Sequence, residues 1–324
     1  PRPATRGDGE PAPPPSHAAS RRPIRRGPGR AAADAVAEAL RGSRGGMTPA
    51  DVSPVEVDAR TPDPTADHFE TETGFIVRGA RVVDAAVAPN ARSGFDLLNS
   101  SNDPRGDAVR IYPGVPAQSV VVVLHDGRSV VLPALRGYLA HAIFDEDGLS
   151  NVSYVPSSNS ERWRAYESRR ADIDRLRALV ALAVSRNTFR VRSEGEAEVL
   201  ASRIRVDKAL DPTLGLYAAY AFAQAGDDPQ VESIANYMRQ DLNADLFDIA
   251  MLAGYAETPP VSMKPSVPFC PLLTQGWHLL RAYDVKLPDV LMTVSRFLAN
   301  SLWSTFTERG TPLLVEAIKS GALK

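Results

Sequence analysis

The apolar residues of this chain change their period once, at Val155-Pro156, and that change limits what the chain can fold into. Before it, apolar residues come in short runs bounded by turn signals. After it, they recur every three or four residues over long stretches. A period of two describes strands and a period near 3.6 describes helices. The spacing therefore predicts an α+β chain: a small antiparallel β-sandwich over residues 68–156, then a separate all-α domain over residues 157–324.

The strand half is punctuated by glycine. Phe75 and Val77 share one face, and beyond Gly79 the even positions Ala80 and Val82 take over, which predicts a bulge or kink at the glycine. Val109-Arg110-Ile111 alternates. Val120-Val121-Val122-Val123-Leu124 is a continuous apolar run, as in a strand buried on both faces. Asp126-Gly127 leads to Ser129-Val130-Val131-Leu132 and predicts a two-residue type I′ hairpin. A second hairpin is expected through Asp145-Glu146-Asp147-Gly148. Short strands with turns between them point to a sandwich.

In the helical half, Trp163, Tyr166, Ile173, Leu176, Val180 and Val184 form one stripe, with Glu167, Arg170 and Asp174 spaced for ion pairs on the other face. Ser193 with Glu196 reads as a capping box. Asp211-Pro212 and Asp228-Pro229 read as N-caps followed by proline, and Gly226 as the stop between two helices. Asn243 is expected to cap a further helix. Leu291, Val294, Leu298, Leu302 and Phe306 make another helical stripe, and Thr311-Pro312 opens the last helix. The pair over 211–242 has the flavour of a tetratricopeptide repeat, without a second copy at the period of about 34 residues. Only Ser157-Ser158 separates the halves, so they are expected to unfold as one unit, with Trp163 and Tyr166 buried against the sheet.

Residues 1–67 are rich in Pro, Ala, Gly and Arg and poor in large apolar side chains, and read as a disordered linker. The formal charge of −2 gives no global pull toward nucleic acid or an anionic membrane. The chain has one cysteine, Cys270, which excludes an internal disulfide and fits a reducing, cytoplasmic setting. No apolar run reaches the length of a membrane span, and the first residues lack the pattern of a secretion signal. The first methionine is Met47, so the chain reads as a piece of a longer polypeptide.

Candidate chemistry is sparse. Cys270 stands in an apolar setting beside Phe269, Leu272 and Leu273, and eight residues from His278, so a structural thiol is expected. His68, His125, His141 and His278 have no metal-ligand spacing. The 145–148 tetrapeptide opens like a calcium loop but lacks the Glu at the twelfth position. Arg21, Arg22, Arg25, Arg26 and Arg30 form a basic cluster without aromatic residues, which offers no base stacking and reads as solvated linker. Arg6-Gly7-Asp8 and Arg105-Gly106-Asp107 match an integrin-type tripeptide, too short a motif to carry a function here. No catalytic, cofactor-binding or metal-binding residue is assigned, and no cofactor is expected.

Residues 75–84 (FIVRGARVVD), 132–154 (LPALRGYLAHAIFDEDGLSNVSY), 211–222 (DPTLGLYAAYAF) and 267–277 (VPFCPLLTQGW) resemble the non-catalytic C-terminal regions of bacterial caspase-like cysteine peptidases. That family's Gln-Ala-Cys context has no counterpart here, since Cys270 lies between Phe269 and Pro271. The resemblance implies a regulatory or protein-binding module accessory to an upstream peptidase domain. A free-standing helical scaffold for a protein partner is the other reading, and an enzyme of unrecognised type is a third. Neither a specific nucleic acid nor a membrane is expected as a partner.

Overall fold

The computed structural model describes residues 70–89, 94–98, 106–185, 210–255 and 266–323, with the backbone alone over 178–185. The expectations for residues 1–67 and for the Ser193 capping box lie outside them. Among the described residues the protein is a mixed α/β fold with two main sheets, of five and four strands, and seven helices.

Eight strands precede Ser157: β1 (Gly74–Arg78), β2 (Val82–Val87), β3 (Gly94–Leu98), β4 (Asp107–Tyr112), β5 (Ala117–Leu124), β6 (Ser129–Leu135), β7 (Tyr138–Asp145) and β8 (Gly148–Pro156). The first sheet has the order β3-β4-β1-β7-β8. Alternation sorts its side chains: Phe75, Val77, Val109, Ile111, Ala140 and Ala142 enter the main core, while Ile76 and Leu139 pack with Ala108 on the other face. The Tyr154 hydroxyl donates to the carbonyl of Pro133 at 2.6 Å and ties β8 of this sheet to β6 of the second. As its sequence predicts, Val120–Leu124 is buried on both faces, apart from the partly exposed Val123.

All pairings are antiparallel but one in the two main sheets: β1 runs parallel to β7, with Phe75 opposite Ala140. The expectation of a purely antiparallel arrangement is corrected there. Periodicity fixes which side chains share a face but not the direction of the neighbouring strand, which non-local pairing decides. Gly79 sits at the turn between β1 and β2 with φ +78°, and a Cβ there would overlap the Phe144 carbonyl oxygen. The β2–β5 register shifts between Val82 and Asp84. The tip at Asp126-Gly127 differs from a type I′ turn. Only Gly127 has positive φ, and the Asp126 carboxylate accepts from the Arg128 N–H at 3.0 Å, so a longer loop joins the strands. The 145–148 tip forms as expected, with Asp145 Oδ1 accepting from the N–H groups of Asp147 and Gly148.

The helices are α1 (Trp163–Ser185), α2 (Pro212–Ala225), α3 (Asp228–Leu242), α4 (Phe247–Leu252), α5 (Thr274–Leu279), α6 (Asp289–Val294) and α7 (Thr311–Lys319). On α1, Tyr166, Ile173 and Leu176 are buried as the stripe requires, but Trp163 is only partly so and lies against Tyr166 with ring centroids 5.7 Å apart. Val180 and Val184 lie beyond the described side chains. Asp211 caps α2, which ends in left-handed Gly226. The cap of α3 is Asp227 rather than Asp228, because the Asp227 carboxylate reaches the Gln230 N–H. Asn243 ends α3 in the left-handed region instead of starting a helix.

The C-terminal half is not all helix. β9 (Asp245–Leu246) pairs with β10 (Ser266–Val267), and β11 (Thr305–Phe306) joins the second sheet, whose order is β11-β6-β5-β2. The 291–306 stripe breaks for the same reason. After a short 3-10 turn at Ser295–Phe297, Leu298 becomes extended and bridges to Phe306. Phe306 and Leu298 are neighbours across a ladder rather than along one helix. Thr311 Oγ1 donates to Ser129 Oγ at 2.9 Å, which seats the start of α7 on β6.

Sheets and helices thus share one hydrophobic core, and Phe306 stands at their junction, fully buried and edge-on to Trp277. Phe306→Ala is expected to cost about 3–5 kcal/mol. Urea unfolding followed separately through strand and helix signals should give coincident transitions that move together; a shift of the helix signal alone would show two independent units.

Candidate functional site

Two buried carboxylates organise the polar interior. Asp211 precedes Pro212 at the start of α2 in an extended conformation, which leaves its side chain beside its own helix's first N–H groups. Oδ1 accepts from the Thr213 N–H at 3.0 Å, the Thr213 hydroxyl at 2.7 Å and the Tyr154 N–H at 3.1 Å. Oδ2 accepts from Arg177 Nε at 2.7 Å. Arg177 is 4 % exposed, and all three of its nitrogens are used. Nη2 donates to the Tyr154 carbonyl at 2.7 Å, and Nη1 donates to the Tyr166 hydroxyl and to Asp174.

Burial alone would pull the Arg177 pKa down. Asp211 first, then Tyr166 and Asp174, outweigh burial and hold it above the ordinary value, so the guanidinium stays charged. Burial raises the Asp174 carboxyl, against the opposing pull of Arg177. The sequence spacing flags Asp174 for Arg170, and that pair exists at 3.6 Å. Its shorter contact, 3.0 Å, is with Arg177. An arginine on the apolar side of α1 was the missed signal.

The second carboxylate is Asp248 on α4, with no exposed surface. Oδ1 accepts from the Tyr220 hydroxyl at 2.6 Å and the Leu273 N–H at 3.3 Å, and Oδ2 accepts from the Leu272 N–H at 2.7 Å. Burial pushes its pKa up to about 6, against the Leu272 N–H, the Tyr220 hydroxyl and the Leu273 N–H, which pull it down. Gly276 of α5 closes over the cluster: a Cβ there would stand 2.6 Å from the Tyr220 oxygen and 3.0 Å from Asp248 Oδ1. The Trp277 indole donates to Ser304 Oγ, which donates to the Pro271 carbonyl and pins the same segment from its other side.

Cys270 lies beside this cluster, fully buried, and burial with the Asp248 charge pushes its thiol well above the ordinary range. A thiolate is the reactive form, so these surroundings oppose nucleophilic chemistry. His278 is exposed near the end of α5, and the structure does not bring it together with Cys270. His125 is exposed before its turn, and His141 is buried in β7. His68 and the head arginines lie outside the described residues. In the second integrin-type tripeptide, Asp107 is buried and accepts from the Val82 N–H at 2.7 Å, so its carboxylate serves the sheet. Among the described residues no group of three His, Cys, Asp or Glu side chains is placed to hold a metal ion, and no helix is long and apolar enough to cross a membrane.

A further ion pair joins α3 to β9: Arg239 Nε donates to Asp245 Oδ1 at 2.7 Å, and its guanidinium stacks on Tyr255 at 4.7 Å. Comparison with family models, with curated proteins and with solved structures finds no match to this chain.

Removing one member of a buried ion pair strands the other. Asp211→Ala is therefore expected to destabilise the protein by about 3–5 kcal/mol in urea titration. An Arg177→Met/Asp211→Leu double variant should lose less than the sum of the single losses, and simple additivity would show that the pair is not coupled. For Cys270, replacement by Ser should cost about 1–3 kcal/mol through a buried hydroxyl. It should leave any activity of the full-length protein within a few-fold. Lost activity with intact stability would assign the thiol a chemical role.

Proposed function

We propose that this chain is a non-catalytic regulatory or protein-binding module, accessory to a caspase-like cysteine peptidase domain encoded upstream of Pro1. One observation carries the reading: the buried groups with chemical potential are spent on the fold. Arg177 bonds to Asp174 and Asp211, Arg177 and Asp211 bond to Tyr154, Asp248 holds backbone N–H groups, and Cys270 is sealed beside it. A catalytic constellation needs a nucleophile and base within reach of each other and of substrate.

The segments that carry the resemblance support the same reading. Residues 75–84 form β1 and the start of β2, residues 132–154 run from β6 through β8, residues 211–222 form most of α2, and residues 267–277 connect β10 to α5. They are scaffold, the part that accessory and catalytic chains can share without sharing chemistry. The finer architecture goes with this proposal: the two sheets joined through Tyr154 and Pro133 form the sandwich, and the helices beyond Ser157 form the partner-facing unit. The compartment that fits is the cytoplasm, on the single cysteine.

The test uses the complete gene product, assayed with and without residues 70–324. Deletion is expected to change how peptidase activity is restrained or directed while an active-site thiol probe still labels the peptidase domain. A gene with no such domain, or hydrolysis of peptide substrates by the chain alone, would overturn the proposal.

A further inference from the structure

We propose that Asp248 is a proton-sensitive latch that holds segment 270–273 onto α2 and sets how readily this segment opens to expose Cys270. The geometry is a buried carboxylate at a convergence of donors, with no cation among the described groups that act on it. Tyr220 faces it from α2, with Tyr283 behind, and Leu272 and Leu273 bring their N–H groups from the segment itself. Cys270 is the segment's titratable group. Of the other neighbours, α5 presents Gly276, which has no side chain to offer a charge, while α3 and β9, which also pack on α4, carry Arg239 and Asp245, paired with each other at 2.7 Å. The pair around Asp211 has Arg177 for compensation; the groups acting on Asp248 are backbone N–H groups and a tyrosine hydroxyl.

Neutral donors, the N–H groups of Leu272, Leu273 and Asp248 itself and the Tyr220 hydroxyl, favour the ionised form, and complete desolvation opposes it more strongly, so the folded pKa stands near 6 against an ordinary 3.8. A carboxyl raised on burial gives its full stabilisation below the ordinary value, and that stabilisation is lost as pH rises through about 6. Opening returns Asp248 to water and to its ordinary pKa. The opening equilibrium therefore grows by up to about tenfold per pH unit between the two values and levels off above the higher one. Acid tightens this latch and neutral pH loosens it, the reverse of an acid-triggered carboxylate pair. Cys270 makes the opening readable, because the chain holds no other thiol.

The experiment labels the intact chain with 4,4′-dithiodipyridine from about pH 4 to about pH 8, each rate divided by that of the urea-unfolded chain at the same pH. The corrected rate is expected to rise about 100-fold between the acid and neutral ends in the natural protein, and to stay flat in Asp248→Asn. Tyr220→Phe removes one donor from the ionised form and should move the rise to higher pH. It carries the test alone if Asp248→Asn does not fold. A flat profile in the natural protein, a rise unchanged in Asp248→Asn, or an unmoved midpoint in Tyr220→Phe would overturn the latch.

Discussion

Tyr154 lies in β8, the last strand of the five-stranded sheet, and among the described residues no strand pairs with its outer side. Asp211 and Arg177 supply what such a strand would: an acceptor for its N–H and a donor to its carbonyl. An open edge leaves backbone groups that must bond to water or to something else. Here they bond to two side chains that also bond to each other at 2.7 Å, so the edge is closed by an ion pair in place of a strand. The pair draws together residues 154, 177 and 211, hence β8, the middle of α1 and the first turn of α2. Thr305 does the same on a smaller scale, accepting from the Leu149 N–H near the other end of β8.

Asp248 shows what the Asp211 arrangement avoids. Both acids take backbone N–H groups that regular structure leaves over, Asp211 at a helix start and a strand edge, Asp248 at Leu272 and Leu273. A charge moved out of water costs several kcal/mol unless a counter-charge and hydrogen bonds compensate it. Arg177 supplies that compensation in one case. In the other, only neutral donors are present, and the pKa rises. The same structural task is thus performed by one carboxylate with an arginine beside it and by one whose pKa burial raises.

Several local signals were readable in the sequence, although the turn type at Asp126-Gly127 and the roles of Asp228 and Asn243 were not. Val120–Leu124, the 145–148 tip, the Asp211-Pro212 cap and the Gly226 stop each depend on residues within a few positions, and each forms as expected. The failures at β1 and at 298–306 involve partners far along the chain. The parallel neighbour of β1 is more than sixty positions away, and Thr305-Phe306 becomes a strand by pairing with Ser129 and Val130. Apolar spacing at 298–306 satisfies a helix template equally well, and tertiary pairing decides against it. Asp227 and Asp228 differ only in which carboxylate reaches Gln230, a choice that pattern reading cannot resolve. For the candidate site, the apolar neighbours of Cys270 announced its burial. Nothing in the spacing of Arg177, Asp211 and Asp248 announced that they would hold the interior together.

Buried ion pairs and carboxylates are a poor way to gain stability, because apolar side chains of similar volume often do as well. What they add is direction. An apolar contact at Tyr154 would tolerate α2 sliding along β8, whereas Asp211 must meet the N–H and Arg177 the carbonyl of the same residue. The start of α2 is thereby fixed against the sheet edge. Since α3 packs on α2 and Tyr220 of α2 holds Asp248, the placement passes on to α4 and to the segment around Cys270. A chain of two polar nodes, one at the start of α2 and one at its Tyr220, therefore adds direction to the placement that the shared apolar core gives the helices.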